Sequence, residues 1–270
     1  MDRLMTEQHN MDAERRFGGL DRLYGAGARE RLAAAHVMVA GIGGVGTWAV
    51  EALARSAVGR ITLIDLDNIA ESNINRQLPA LDSTLGMAKI EAMAQRIAQI
   101  NPQCQLQLIE DFVTEDNAAS LLEQRPDVFL DCTDQASAKI ALILQARRLN
   151  VPLLSCGGAG GKTDPLSLRR GDLSVARHDA LLGKLRQILR KQHGFARGSD
   201  AQGRALKRVP RMGVDCLWFE QETRLPQNWT QSEDGALQGL ACAGYGSGVT
   251  ITASMGMQAA DYALNRILNQ

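Results

Sequence analysis

Five cysteines stand among 270 residues, and no two of them form a C-x-x-C pair. Neither a zinc knuckle nor a disulfide framework is therefore suggested, and no zinc is expected. Net charge is absent as well. Thirty basic residues against thirty acidic ones leave no overall field to draw in nucleic acid or a membrane surface. The opening stretch MDRLMTEQHNMDAERRF is charged and lacks an apolar core, so no signal peptide is expected. There is no internal repeat, no low-complexity tract and no G-x-x-x-x-G-K-[ST] phosphate loop. His9, His36, His178 and His193 stand in no ligand-like spacing and are assigned no role. Gly235 to Ala260 contains no charged residue and is long enough to span a bilayer. Six glycines interrupt it, and a buried strand running into a helix accounts for it better than a membrane span. A soluble cytoplasmic protein is expected, with membrane association through 235–260 as the lesser alternative.

What is present is an alternation of strands and helices. After a helical N-terminal segment, HVMVAGIG reads as a buried strand entering a tight turn, TWAVEALARSAV as a helix and RITLIDLD as a second strand. GMAKIEAMAQRIAQI places Met87, Ile90, Met93, Ile97 and Ile100 on one helical face and stops at Asn101-Pro102. QLQLIEDFV and DVFLDCTD supply a third and a fourth strand, with a helix around Leu121 between them. AKIALILQARRLN and VPLLSCGGAGG complete another helix–strand pair. This order predicts an α/β fold, a Rossmann-like and mostly parallel sheet with helices on both faces. Residues 1–270 are expected to form one domain. It would carry a basic, partly flexible insertion at about 184–236 and a C-terminal strand–helix region.

The chemistry concentrates at the ends of the first, second and fourth strands. Gly41, Gly43 and Gly46 form G-x-G-x-x-G between a strand and a helix, where backbone N–H groups and the helix N-terminus can approach phosphate. Asp65 follows 19 residues after Gly46, in place to accept from ribose hydroxyls. Those features alone favour a dinucleotide. The polar run changes the ligand, because Asp67, Asn73, Asn75, Arg76 and Gln77 fall within eleven positions. A triphosphate needs cations and amide donors at its β and γ groups, and Arg76 could clamp oxygens in a fork. Lys89 adds a point charge, and Asp134 can hold Mg²⁺. Taken singly, Lys89 reads as a solvated helix face and Arg76 as a loop-stapling ion pair; the set together points to ATP.

GIGGVG, DLDNIAESNINRQ, GMAKIE and DCTD resemble the adenylating domain shared by ubiquitin-activating-like enzymes and the bacterial relatives that activate sulfur-carrier proteins. The resemblance implies that Gly44, Asp65, Ser72, Asn73, Asn75, Arg76, Lys89, Asp134 and Gln135 contact ATP and its magnesium. It implies a homodimer in which an N-terminal arginine reaches the partner's triphosphate, with Arg16 and Arg22 as candidates. A cysteine-desulfurase or sulfur-acceptor system is a further implied partner. RFGGLDRLYG, GGAGGKTDPLSLRRGDLS, KLRQILRK and GVDCLWFEQE resemble the bacterial branch that dehydrates threonylcarbamoyladenosine in tRNA, activating its carboxylate with ATP and closing it to a ring.

Two observations agree with that branch. Zinc-binding pairs are missing, and from Lys184 to Arg211 nine Lys and Arg face a single acid, Asp200. Such a run is the footprint expected of a phosphate backbone, with Lys184, Arg190, Lys191, Lys207, Arg208 and Arg211 as candidates. HGFARGSDAQGRALKR within it reads as a flexible loop. The cysteines, Cys104, Cys132, Cys156, Cys216 and Cys242, read as small inert thiols. Three other readings stay open: activation of a carrier protein's C-terminal glycine, an NAD-dependent oxidoreductase, and a silent ATP-binding partner of a sulfur-transfer system.

Overall fold

A computed structural model describes residues 12–200, 202–204, 206–225 and 245–269. Three short helices, α1 (Ala13–Phe17), α2 (Gly19–Tyr24) and α3 (Ala28–Ala34), lead into β1 (His36–Ala40). The chain continues through α4 (Gly46–Arg55), β2 (Arg60–Ile64), α5 (Lys89–Ile100), β3 (Gln105–Ile109), α6 (Ala118–Glu123), β4 (Val128–Asp131), α7 (Ala136–Leu149) and β5 (Leu153–Cys156). It ends with β6 (Leu168–Asp172), α8 (Ala180–Gln192), β7 (Asp215–Phe219) and α9 (Val249–Leu268). The seven strands lie in the order β3-β2-β1-β4-β5-β7-β6. All are parallel to their neighbours except β6, which runs antiparallel to β7 at the edge.

Side-chain alternation along the strands builds a core on each face of the sheet. Val37, Val39, Ile61, Leu63, Val128 and Leu130 meet α3, α4, α5 and α9 on one side. Met38, Ala40, Ile64 and Phe129 meet α6 and α7 on the other. α8 joins that second face further along, where Leu182, Leu185 and Leu189 pack on Ile143 of α7 and Trp218 of β7. Each such leucine stabilises the fold by about 1.5–3 kcal/mol. α9 crosses α4 at Gly256, whose absent side chain lets Val45 and Trp48 come against the backbone.

Among the described residues, the chain after Lys184 is more regular than a flexible basic insertion would be. Within the segment expected as a basic insertion at 184–236, α8 continues to Gln192 and Asp215–Phe219 enter the sheet interior beside β5. DCLWF is short and apolar, so it offers no alternation to mark a strand, and its burial comes from covering helices and β6. β6 is polar because it is an edge, with Arg169 paired to Glu220 and Arg170 to Asp261. The C-terminal uncharged run becomes α9 from Val249 onward; the strand expected before it falls at 235–244, outside the described residues. Among the described residues no helix is long and apolar enough to cross a membrane.

Candidate active site

The strand order reverses between β1 and β4, so their connections leave on opposite faces and open a crevice beyond their carboxyl ends. Into it the turn after β1 brings the glycines. Gly41 adopts φ +84°, and a Cβ there would lie 2.7 Å from the Cys132 backbone. Gly46 starts α4 so close to the Gly41 carbonyl that any side chain would collide with it. Gly43, by contrast, faces open space. The first and third glycines thus close the turn, and the second leaves room for a ligand against the backbone.

Asp65 closes the turn from below. Its carboxylate accepts from the amides of Ile42 at 2.6 Å and Asp67 at 2.8 Å. Burial pushes its pKa upward, while Lys89 and those two amides oppose the shift. Lys89 is only 6% exposed, so it is no solvated helix face. Its ammonium donates to Asp67 at 2.7 Å and stands 3.9 Å from Asp65. Asn73 caps its own short 3₁₀ turn by accepting from the Ala70 amide, and Ser72 offers its carbonyl to Arg76 at 2.6 Å. The Arg76 guanidinium also donates to the Asn75 side chain at 2.9 Å and forms no ion pair among the described residues. The Arg76 carbonyl is held by Trp48 and Thr252, tying this polar loop to α4 and α9. Asn75 reaches the Ser247 carbonyl at 2.7 Å. Gln77 is buried, and its Oε1 has no hydrogen-bond partner among the described residues.

The third wall is the turn after β4. Asp131 is fully buried and accepts from the amide and hydroxyl of Thr133, from Ser155 at 2.8 Å and from Lys139 at 3.0 Å. Lys139 is itself 0% exposed. Burial alone would lower its pKa, but Asp131 beside it outweighs that and the net direction is up. This network shapes the turn that presents Asp134 and Gln135, both exposed; the Asp134 carboxylate has no partner among the described residues. The outcome is a cleft of about 250 Å³ lined by Gly43, Gly44, Asp65, Asn73, Arg76, Lys89, Asp134 and the Gly157-Gly158 loop. A smaller recess of about 80 Å³ continues past Phe112 and Val113 to Gln135. Outside Asp134, a groove of about 810 Å³ runs between α7 and α8.

Several of these residues escaped the sequence reading. Asp131 and Lys139 are eight positions apart with no motif to join them, and Phe112 and Val113 look like ordinary strand-end residues. The Gly157-Gly158 loop wraps Asp179, which accepts from the Gly158 amide and caps α8 through Leu182; burial raises its pKa.

Other expected residues lie elsewhere. Arg16 donates to the carbonyls of Gln99 and Ile100 at the end of α5, and Arg22 is exposed. Lys184, Lys191, Lys207 and Arg208 are exposed, while Arg190 is half-buried and donates to the Ala196 carbonyl. Arg211 stands within 4.0 Å of both Asp172 and Asp215. Cys132 and Cys156 lie 3.9 Å apart; contact with Cys156 and burial raise the Cys132 thiol pKa, and burial raises that of Cys216 and pushes Cys104 to about 11. Cys242 falls outside the described residues. Among the described residues no three His, Cys, Asp or Glu side chains gather as a metal cluster.

Comparison with known proteins agrees with the geometry. The ThiF family model matches residues 18–268. The tRNA threonylcarbamoyladenosine dehydratase of Escherichia coli is 39% identical over 259 residues, covering 94% of this chain and 93% of the relative. The enzyme of the same name from Haemophilus influenzae is 39% identical over 257 residues, 95% of each chain. The crystal structure of the E. coli dehydratase in complex with ATP superposes with a TM-score of 0.82 at 38% identity, covering 96% of both chains.

Proposed function

This chain belongs to the ThiF family, and from that premise we propose that it is an ATP-dependent dehydratase of threonylcarbamoyladenosine in tRNA. A carboxylate is a poor electrophile because its leaving group would be oxide. One carboxylate oxygen of the modified nucleoside attacks the α-phosphorus of ATP, and pyrophosphate leaves. The acyl adenylate is then attacked by the nucleoside's own carbamoyl group, which closes the ring, loses its proton and expels AMP. Proximity within one substrate supplies much of the second step.

The carrying observation is that likeness to the dehydratases runs through both the nucleotide cleft and the basic C-terminal half, over 93–95% of those enzymes. The cleft suits ATP on its own chemistry. Gly43 leaves space against the backbone, Gln77 offers an orphaned acceptor, and Arg76 and Lys89 supply two cations. In this reading Asp65 accepts from the ribose, Gly41 to Gly46 line the phosphates, and Lys89 and Arg76 offset charge on the leaving pyrophosphate. Mg²⁺ takes one or two carboxylates plus phosphate oxygens, so Asp134, with Asp67 nearby, suffices without a protein cluster. Bound there, Mg²⁺ would neutralise phosphate charge.

The same reading includes a homodimer. Arg22 is the better residue to reach a partner's cleft, since Arg16 already holds the end of α5. It places the enzyme in the cytoplasm and keeps a cysteine-desulfurase or sulfur-acceptor partner by family likeness. ATP–pyrophosphate exchange with and without modified tRNA, followed by nucleoside mass measurement, tests the proposal. Exchange dependent on tRNA and an adenosine lighter by one water are expected. Exchange that requires a small carrier protein, with unchanged nucleoside mass, would overturn it.

A further inference from the structure

α8 has two polar flanks. One faces α7 and the groove beside Asp134, where Lys184 lies. On the other, Gly183, Arg186, Gln187, Arg190 and Lys191 recur at helical spacing and form a single stripe. That stripe is one wall of a separate groove of about 790 Å³. The opposing walls are the turn through Arg177 and the segment Arg197 to Ser199. Among the described residues five cations line the groove and no carboxylate does.

Two of the five build the groove. Arg186 donates to the carbonyls of Leu173 at 3.1 Å and Ala176 at 2.7 Å, pinning that turn to α8. Arg190 donates to Ala196 at 3.0 Å, and its guanidinium covers Gly198, where a Cβ would meet it at 3.0 Å. Burial and then the neighbouring Arg190 lower the pKa of Arg186, as expected where like charges are held together. Arg190 Nη2 is buried with no partner among the described residues. The other three, Arg177, Lys191 and Arg197, are exposed and make no ion pair there. A chain of balanced charge has concentrated these cations in one concavity; Asp179 opposes part of the lowering at Arg186, but none of the five forms a salt bridge among the described residues. Arg211 is different, because two carboxylates already attend it.

The groove also has a fixed relation to the cleft. Leu181, at the start of α8, lines the nucleotide cleft, and Lys191 stands ten residues later, about 15 Å along the helix axis. We propose that this groove holds the phosphate backbone flanking the reacting nucleoside. Arg177, Lys191 and Arg197 contact phosphates, and Arg186 and Arg190 act as positioning residues. The inference rests on the tRNA reading above and adds where the RNA lies.

The test is the triple variant Arg177→Ser, Lys191→Ser, Arg197→Ser, compared with wild type and with a charge-matched control, Arg31→Ser, Arg60→Ser, Arg148→Ser. tRNA affinity is measured against salt concentration, alongside steady-state AMP formation and pyrophosphate competition. The groove variant is expected to melt as wild type does. Its log–log salt slope should be shallower by about 2 to 3, at 0.7–0.9 per lost contact. KM for tRNA should rise about tenfold or more at 150 mM salt, with KM for ATP and kcat at saturating tRNA unchanged. The control should keep the wild-type slope. An unchanged slope and KM in the groove variant, with wild type active on tRNA, would overturn the groove alone. Loss of pyrophosphate binding with tRNA binding intact would make it a free-anion site and overturn it equally. Wild type that neither binds nor modifies tRNA would remove the functional reading and the groove together.

Discussion

At the scale of single residues, the cleft separates side chains left without ion-pair partners among the described residues from those that hold the turn presenting them. Asp134 has no protein partner among the described residues, and the Arg76 side chain bonds only within its own loop. Asp134→Asn and Arg76→Ala should therefore melt as wild type does while turnover falls by roughly 10²–10³, the cost of removing one transition-state charge. Near-normal AMP formation in both variants would count against the assigned roles. Lys139 is the opposite case. Its ammonium is the only cation bonded to the buried Asp131 carboxylate among the described residues. Lys139→Met should cost about 3–5 kcal/mol, lowering Tm by roughly 6–20 °C in a chain of this size. Adding Asp131→Asn should restore much of that loss by removing the stranded charge. A double variant no more stable than Lys139→Met alone would show that the pair is not the source.

At the scale of elements, the strand–turn–helix unit from β1 to α4 makes two glycines three residues apart behave differently. A methyl group at Gly46 would collide with the Gly41 carbonyl, whereas one at Gly43 meets nothing within 4 Å. Gly46→Ala should lower stability by about 1–3 kcal/mol through overpacking and weaken ATP binding by moving α4. Gly43→Ala should leave stability untouched and still weaken ATP binding, because its methyl occupies the ligand's space. Thermal melts paired with ATP titrations separate the two effects; equal melting losses in both variants would contradict this geometry. Glycine spacing was legible in the sequence because backbone freedom is a local property. What Gly41 makes room for was not, since the Cys132 backbone it meets lies just beyond β4, some ninety positions away in the chain.

Across the whole molecule, pH dependence of stability follows from groups the cleft does not use. His36 is buried, bonded to Thr62 at 2.9 Å, and its pKa is pushed down to about 4 by burial and by Arg60, against Asp127. The unfolded chain takes up a proton near pH 6.5 and the folded chain does so only near 4. His36 is thus neutral in both states above 6.5, and stability is lost as pH falls from 6.5 towards 4, by up to about 1.4 kcal/mol per unit. Urea midpoints at pH 7 and pH 5 should show that fall in wild type and a smaller one in His36→Gln; equal falls would rule the histidine out. Glu51 adds to acid sensitivity at lower pH. Burial would raise its pKa, yet Arg96 and Arg55 bring it below the usual carboxylate range, so its contribution is lost as pH drops through that lowered value.

By itself the sequence determined everything that rests on neighbours in the chain. Periodicities of 2 and 3.6 placed β1 to β5 and α4, α5 and α7, and the polar run through Arg76 and DCTD marked the cleft's contents. Only the tertiary structure decided what depends on distant partners. Lys89 became a buried, paired cation because Asp67 and Asp65 close over it. DCLWF became an interior strand because β5 and β6 flank it. Of the basic residues after Lys184, carboxylates from β6 and β7 take Arg211, while α8 and its facing turns gather Arg190, Lys191 and Arg197 with Arg177 into one groove. Charge count is a property of composition. Whether a charge is free to meet a ligand depends on what the fold sets beside it, since a carboxylate within about 4 Å offsets a cation far more than one a Debye length away.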